Sequence, residues 1–329
     1  MTGWPEKVST IPWGPIEKNW KRIKLQAPKL KTLLDDLKPD IVHAGPVQGP
    51  AFLAAMSGFH PLVTMSWGSD MLLEARRNFQ TKRMTRITLS RTDVLVGDSK
   101  CIEEEARHYD YRGPYFQFPW GVDLQHFTPA GSTNLRAKLG WQEKTVLLSI
   151  RSFESLYDVK SIMHAFFQAS DLRQDLRLMV FGQGTQETLL KEIVAAGGFE
   201  EKVYFGGHAS LEELPDVYRS ADLYISASHS DGASVSLMEA LACGLPALVS
   251  DIPGNREWIE PDKNGWLFKT GNVKELSRYV RQFEKGSVET GAMKSTNRLL
   301  AEERADWSKN FPVLLKAYEK AIENHRGQG

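Results

Sequence analysis

Cysteine is nearly absent from this chain of 329 residues: only Cys101 and Cys243 occur, far apart, with no C-x-x-C spacing and no histidine beside them. That argues against a disulfide framework and a cysteine-built zinc site, and the expectation is a reducing, cytoplasmic setting. Net charge is absent as well, because 41 basic residues balance 41 acidic ones. No overall field draws the chain to nucleic acid, so none is expected as a partner. No window approaches about eighteen uninterrupted apolar residues, and the opening MTGWPEKVST lacks the apolar core of a signal peptide. The expectation is a soluble protein not secreted by that route. There is no D-x-D motif, no carboxylate cluster with metal-site spacing, no P-loop, no Ser-His-Asp or Cys-His arrangement, no fixed-period repeat and no low-complexity tract.

What is present is a series of short apolar runs: DIVHA (40–44), LVTMS (62–66), DVLVGD (93–98), TVLLSI (145–150), RLMVFG (177–182), KVYFGG (202–207), DLYISAS (222–228) and PALVS (246–250). Runs of four to six apolar residues that do not alternate suit buried parallel strands, and the helical stretches between them make repeated βαβ units. Length allows two such domains. The stretch from Pro119 to Trp141, rich in proline, glycine and polar residues, marks their boundary. Ligands bind beyond the carboxyl ends of strands in open α/β sheets, so the loops after Ile150, Phe181 and Ser228 are expected to face a cleft between the lobes. From Val273 onward the chain reads as helical. Near the start, residues 15–38 with Glu6 and Lys7 carry eight basic and four acidic residues, and Trp4, Trp13 and Trp20 lie close by. This pattern suits either a solvated helix face or a helix lying peripherally on an anionic membrane.

The most informative stretch is Ser226 to Asp251, SASHSDGASVSLMEALACGLPALVSD. It sets Asp231 and Glu239 on either side of a glycine-bearing loop and a helix start. Open backbone N–H groups and the positive end of a helix dipole hold phosphate oxygens, while a carboxylate inside the helix can accept from two ribose hydroxyls. Gly232, Ala233 and Ser234 are small enough for a diphosphate to approach the backbone. Ser236 and Glu239 also read as an S-x-x-E capping box, and Asp231 as an Asx turn or cap.

Together with KPDIVHA (38–44), WGSD (67–70), WGVDLQHFTP (120–129), SADLYISAS (220–228) and ALACGLPALVSDIPGNREWI (240–259), these residues resemble the retaining, nucleotide-sugar-dependent glycosyltransferases of family 4, from about Lys38 to Tyr318. The resemblance implies a GT-B fold: two Rossmann-like domains facing a cleft. Residues 1–125 would form the acceptor-side domain without its first βαβ unit, 126–310 the nucleotide-sugar-binding domain, and 311–329 a helix packing back on the first. It implies transfer of a sugar from a UDP- or GDP-type donor to a hydroxyl on a glycan or lipid, with retention, no metal and no cofactor.

The resemblance also assigns roles. Glu239 binds the ribose. Asp231, where the family usually has Glu, contacts the transferred sugar, and His43 at the end of its strand does the same. Arg151 takes the donor phosphates. The family often adds a lysine a few residues on; Tyr157 stands there, with Lys160 one turn later. Gly182 and Gly184 in FGQGTQETLL make a tight turn near the nucleotide, and Asp70 is an acceptor-side candidate. His208 and His229 border the cleft loops without assigned partners. Two alternatives stand beside this reading: a donor-binding, catalytically weak subunit, and an epimerase or phosphorylase on the same fold. The short N-terminal part is compatible with a natural short form, a dimer, or a second subunit covering the sheet edge.

Overall fold

The computed structural model describes residues 20–327 together with Ile11. Trp4, Glu6, Lys7 and Trp13 lie outside the described residues. Among the described residues, ten strands form two wholly parallel sheets. The first has four strands in the order β1-β2-β3-β4: Val42–Ala44, Leu62–Met65, Val94–Gly97 and Tyr115–Gln117. The second has six: β5 Thr145–Ile150, β6 Leu176–Phe181, β7 Val203–Gly207, β8 Leu223–Ser226, β9 Ala247–Ser250 and β10 Gly265–Phe268, in the order β10-β9-β8-β5-β6-β7. This is the pair of Rossmann-like α/β sheets that the apolar runs predict.

All eight runs are strands; the central ones are apolar on both faces and covered on both sides, while β1 and β7 at the sheet edges are largely half-buried. Residues of β2, β3, β8 and β9 are buried throughout. Two strands escaped the pattern. β4 is three half-buried residues in a stretch bounded by Pro114 and Pro119, and β10 is a short edge strand opened by a glycine. Neither reaches four consecutive apolar residues, β4 having Tyr115 and Phe116 and β10 Trp266 to Phe268, so the strand pattern did not report them.

In the second sheet the chain lays down β5, then β6 and β7 on one side, then β8, β9 and β10 on the other. The order reverses between β5 and β8, and a crevice opens at that point beyond the carboxyl ends of the strands. Arg151 follows β5 directly, and the Asp231 loop follows β8. In the first sheet the residues of β3 alternate between faces. Leu95 packs with Met71, Leu89 and Ile102 on one side. Val94 and Val96 pack on the other side with Leu314, Ala317 and Ala321 of the long helix Trp307–Arg326.

The chain crosses back between the lobes beside Trp120. Val122 N–H donates to Ala305 at 2.7 Å, Trp307 N–H donates to the Val122 carbonyl at 3.2 Å, and Asn310 Nδ2 donates to the Trp120 carbonyl at 2.8 Å. The helix Trp20–Leu37 buries Ile23, Ala27 and Leu34, and Ile23 and Ala27 pack with Phe52, Leu53 and Met84. Its apolar stripe is therefore occupied by the protein's own core. Among the described residues no helix is long and apolar enough to cross a membrane.

Candidate active site

A cleft of about 610 Å³ lies at the switch point and is lined from both lobes. Ile150, Arg151, Tyr157, Gly182 and Gln183 come from the loops after β5 and β6. Asp231, Ala233, Ser234, Ser236 and Glu239 come from the segment after β8, and Trp67, Asp98 and Trp120 from the first lobe's side. The loops after Ile150, Phe181 and Ser228 thus meet at one place.

Arg151 is the centre of the polar network. Its side chain is only 9% exposed. Nη1 donates to Ser234 Oγ at 2.6 Å and to Ser236 Oγ at 3.3 Å, and Nη2 donates to Asp231 Oδ2 at 2.5 Å. Nε is buried without a partner. Burial is the largest single influence and works to lower its pKa, but the Asp231 charge and hydrogen bond together with Tyr224 and Tyr157 turn the net direction upward, so the guanidinium stays charged. The Tyr157 ring lies under the guanidinium, 4.1 Å from its centre, in a cation–π contact. Tyr157 therefore supports Arg151 by stacking where a second cation would have repelled it.

The helix Val235–Ala242 starts at this cluster. Its cap is Ser234, whose Oγ accepts from Leu237 N–H at 3.4 Å. The S-x-x-E capping box read at Ser236 and Glu239 does not form, because the helix begins two residues earlier than that box requires. Glu239 instead accepts from Tyr218 Oη at 2.6 Å. Burial pushes its carboxyl up to about 7, against the stabilising Tyr218 hydrogen bond. Asp231 makes neither an Asx turn nor a cap: it is the ion-pair partner of Arg151.

The glycines divide. Gly182 lines the cleft at φ +148°, and a Cβ there would stand 2.1 Å from the Arg151 carbonyl oxygen. Gly184 packs against the Phe153 carbonyl oxygen, where a Cβ would sit at 2.5 Å, and does not line the cleft. Gly232 does not line it either. Its open side faces the first lobe, where a Cβ would lie 2.0 Å from Asp98 Oδ1.

Three assigned residues do not line this cleft. His43 is outside the cleft and bonds through Nδ1 to Tyr318 Oη at 2.7 Å, because the long C-terminal helix covers its end of the first sheet and draws the ring to itself. Asp70 is 6% exposed, and its oxygens accept from Val47 N–H at 2.9 Å, Ser66 Oγ at 2.7 Å and Trp67 N–H at 3.0 Å. It braces the loop after β2 and lines a neighbouring cavity on the first lobe, while Trp67, 53% exposed, faces the donor cleft. Lys160 is exposed on the helix Val159–Ser170 and does not line the cleft. His208 lines it, whereas His229 pairs with Asp158 at 3.3 Å.

The motifs missed Asp98, Trp67 and Trp120 as cleft residues. Asp98 directly follows β3, so the rule that singled out His43 at the end of β1 would have found it too. Trp67 and Trp120 lie inside quoted motifs, but aromatic residues carry no signal of which way they face.

Residues 131–310 match the family described as Glycosyl transferases group 1, and residues 6–99 match Glycosyl transferase 4-like. Among characterised relatives, the chain is 35% identical over 115 residues to the UDP-N-acetylglucosamine–peptide N-acetylglucosaminyltransferase GtfA subunit of Streptococcus pneumoniae, covering 35% of this chain and 22% of that one. It is 24% identical over 276 residues to a D-inositol 3-phosphate glycosyltransferase of Arthrobacter, covering 81% and 65%. The chain thus spans less than two thirds of the length of these relatives. Similar solved structures include Anabaena HepE in complex with UDP, at TM-score 0.77 and 18% identity over 89% of this chain and 81% of that one. Sucrose-phosphate synthase from Thermosynechococcus elongatus matches at TM-score 0.80 and 16% identity over 95% and 81%. At these identities the likeness is one of fold.

Proposed function

The chain belongs to the group 1 glycosyl transferases, and from that membership we propose that it moves a sugar from a nucleoside-diphosphate donor, of UDP or GDP type, to a hydroxyl acceptor with retention of configuration. One observation carries the proposal. A buried arginine and the start of a helix converge at the switch point of the second sheet, in a cleft both lobes line. Departure of a diphosphate leaves negative charge on its oxygens, and groups already aimed at that charge lower the barrier.

Arg151, with Nε unpartnered, would exchange part of its bond to Asp231 for a phosphate oxygen. The N–H groups of Val235 and Ser236 would take the others. Glu239, held by Tyr218, would accept the ribose hydroxyls as a carboxylate. Asp231, freed from Arg151, would orient a hydroxyl of the sugar. A cavity of about 730 Å³ adjoins the donor cleft and shares Trp67 with it, and we assign it to the acceptor. Since the guanidinium and helix start supply the positive charge, turnover is expected without a divalent ion. Activity lost in chelator and restored by magnesium would overturn that.

Thermal-shift titration with nucleoside diphosphates tests the site itself, because a ligand that binds only the native state raises the midpoint. UDP or GDP should raise it for the wild type, and Glu239→Ala should abolish the rise. A shift of full size in that variant would refute the ribose assignment.

A further inference from the structure

Asp98 lies at the carboxyl end of β3, on the first lobe, and reaches the second lobe. It is 3% exposed and lines the donor cleft, yet its Oδ1 has no hydrogen-bond partner. Against it sits Gly232: a Cβ there would fall 2.0 Å from Oδ1 and 2.3 Å from Oδ2, so only glycine lets the loop after β8 come this close. The same loop is pressed from two other sides. A Cβ on Gly68 of the first lobe would lie 2.5 Å from Gly232 N, and one on Gly254 would lie 2.1 Å from Gly232 O. The backbone N–H of Ala233, next in the chain, acts on the Asp98 carboxyl. A buried carboxyl, a glycine that must be glycine and a backbone N–H therefore make one contact across the lobe boundary, one residue from the Asp231–Arg151 pair.

We propose that Asp98 is a positioning residue of the donor site: a first-lobe carboxyl that seats on Gly232 and Ala233 and thereby fixes the turn leading to Ser234 and the helix start. The inference rests on the reading of that turn as the diphosphate's seat. Asp98 touches no reacting atom; it acts through the backbone that carries Asp231 and Ser234. When the lobes part, the carboxyl meets water and the turn loses its brace.

The contact is also sensitive to protons. Burial first, then the charges of Asp231 and Asp70, push the Asp98 carboxyl up to about 7, against the Ala233 N–H and the Ser99 hydroxyl. The titratable groups facing it are Asp70 after β2, Asp231 after β8, and Cys101 and Tyr115 of its own lobe. Burial holds Cys101 up at about 11 and raises Tyr115, so both stay neutral through the relevant range. A seated pKa above the ordinary 3.8 means that the seated state holds the extra proton. Seating is fully favoured below about pH 4 and is lost as pH rises through about 7, by up to about tenfold per pH unit between.

Two measurements on the full chain test this. Small-angle X-ray scattering of the ligand-free protein should show a larger radius of gyration at pH 8.5 than at pH 5.5, and Asp98→Asn, which keeps the size and removes the titration, should flatten the difference. An unchanged pH response in that variant, or none in the wild type, overturns the proposal. Second, Gly232→Ala should weaken nucleoside-diphosphate binding about tenfold or more, and adding Asp98→Ala, which vacates the space the new methyl needs, should restore part of it. Full affinity in the single variant, or no restoration in the double, overturns the contact. If UDP and GDP fail to bind the wild type at all, the donor-site reading falls, while the scattering still decides whether Asp98 seats the lobes.

Discussion

At the residue scale, the decisive fact is that Arg151 already has a complete set of neighbours except at Nε. Two hydroxyls, one carboxylate and an aromatic face hold its plane. Lysine would keep the charge but lose the planar fork, the stacking and the simultaneous grip on Ser234 and Asp231. Arg151→Lys should therefore lower kcat/KM by about a hundredfold, the usual order for one misplaced donor at a developing oxyanion. Steady-state kinetics with the donor identified by thermal shift would measure it, and a change within threefold would remove Arg151 from the clamp. Tyr157 shows how a departure from the family pattern can be coherent. With one cation nine-tenths buried against Asp231, a ring beneath it costs nothing in repulsion.

At the scale of elements, the long helix Trp307–Arg326 explains why His43 does not serve the cleft. It lays Leu314, Ala317 and Ala321 on the first sheet, and Tyr318 at the same face takes the His43 ring. Small residues set that distance: Ala317 and Ala321 are fully buried, and a larger side chain has no room. Ala317→Leu should destabilise the protein by about 1–3 kcal/mol through overpacking, whereas Lys316→Leu, at an exposed position of the same helix, should change stability by no more than about 0.5 kcal/mol. Thermal or denaturant unfolding would separate the two, and equal effects would show that the helix is not packed as described.

At the scale of the whole molecule, the first sheet has four strands among the described residues, with β1 at their edge, and the second has six. The site belongs mostly to the second, and the first supplies Trp67, Asp98 and Trp120 around it. We expect a monomer to turn the donor over, because both walls of the cleft come from one chain. Size exclusion with light scattering alongside a donor-hydrolysis assay would decide, and activity confined to a larger assembly would favour the donor-binding subunit instead. The sequence alone determined the alternation of buried strands and helices, because burial on both faces demands continuous apolar runs. The resemblance to family 4 singled out Arg151, Asp231 and Glu239, and the three do line one cleft. The sequence could not show β4 or β10, which are too short and too half-buried to leave a periodic trace. Only the tertiary structure decided that His43 faces Tyr318, that Asp70 braces a loop and that Asp98 meets Gly232. Those outcomes depend on which elements from distant parts of the chain pack together, and no local pattern carries that information.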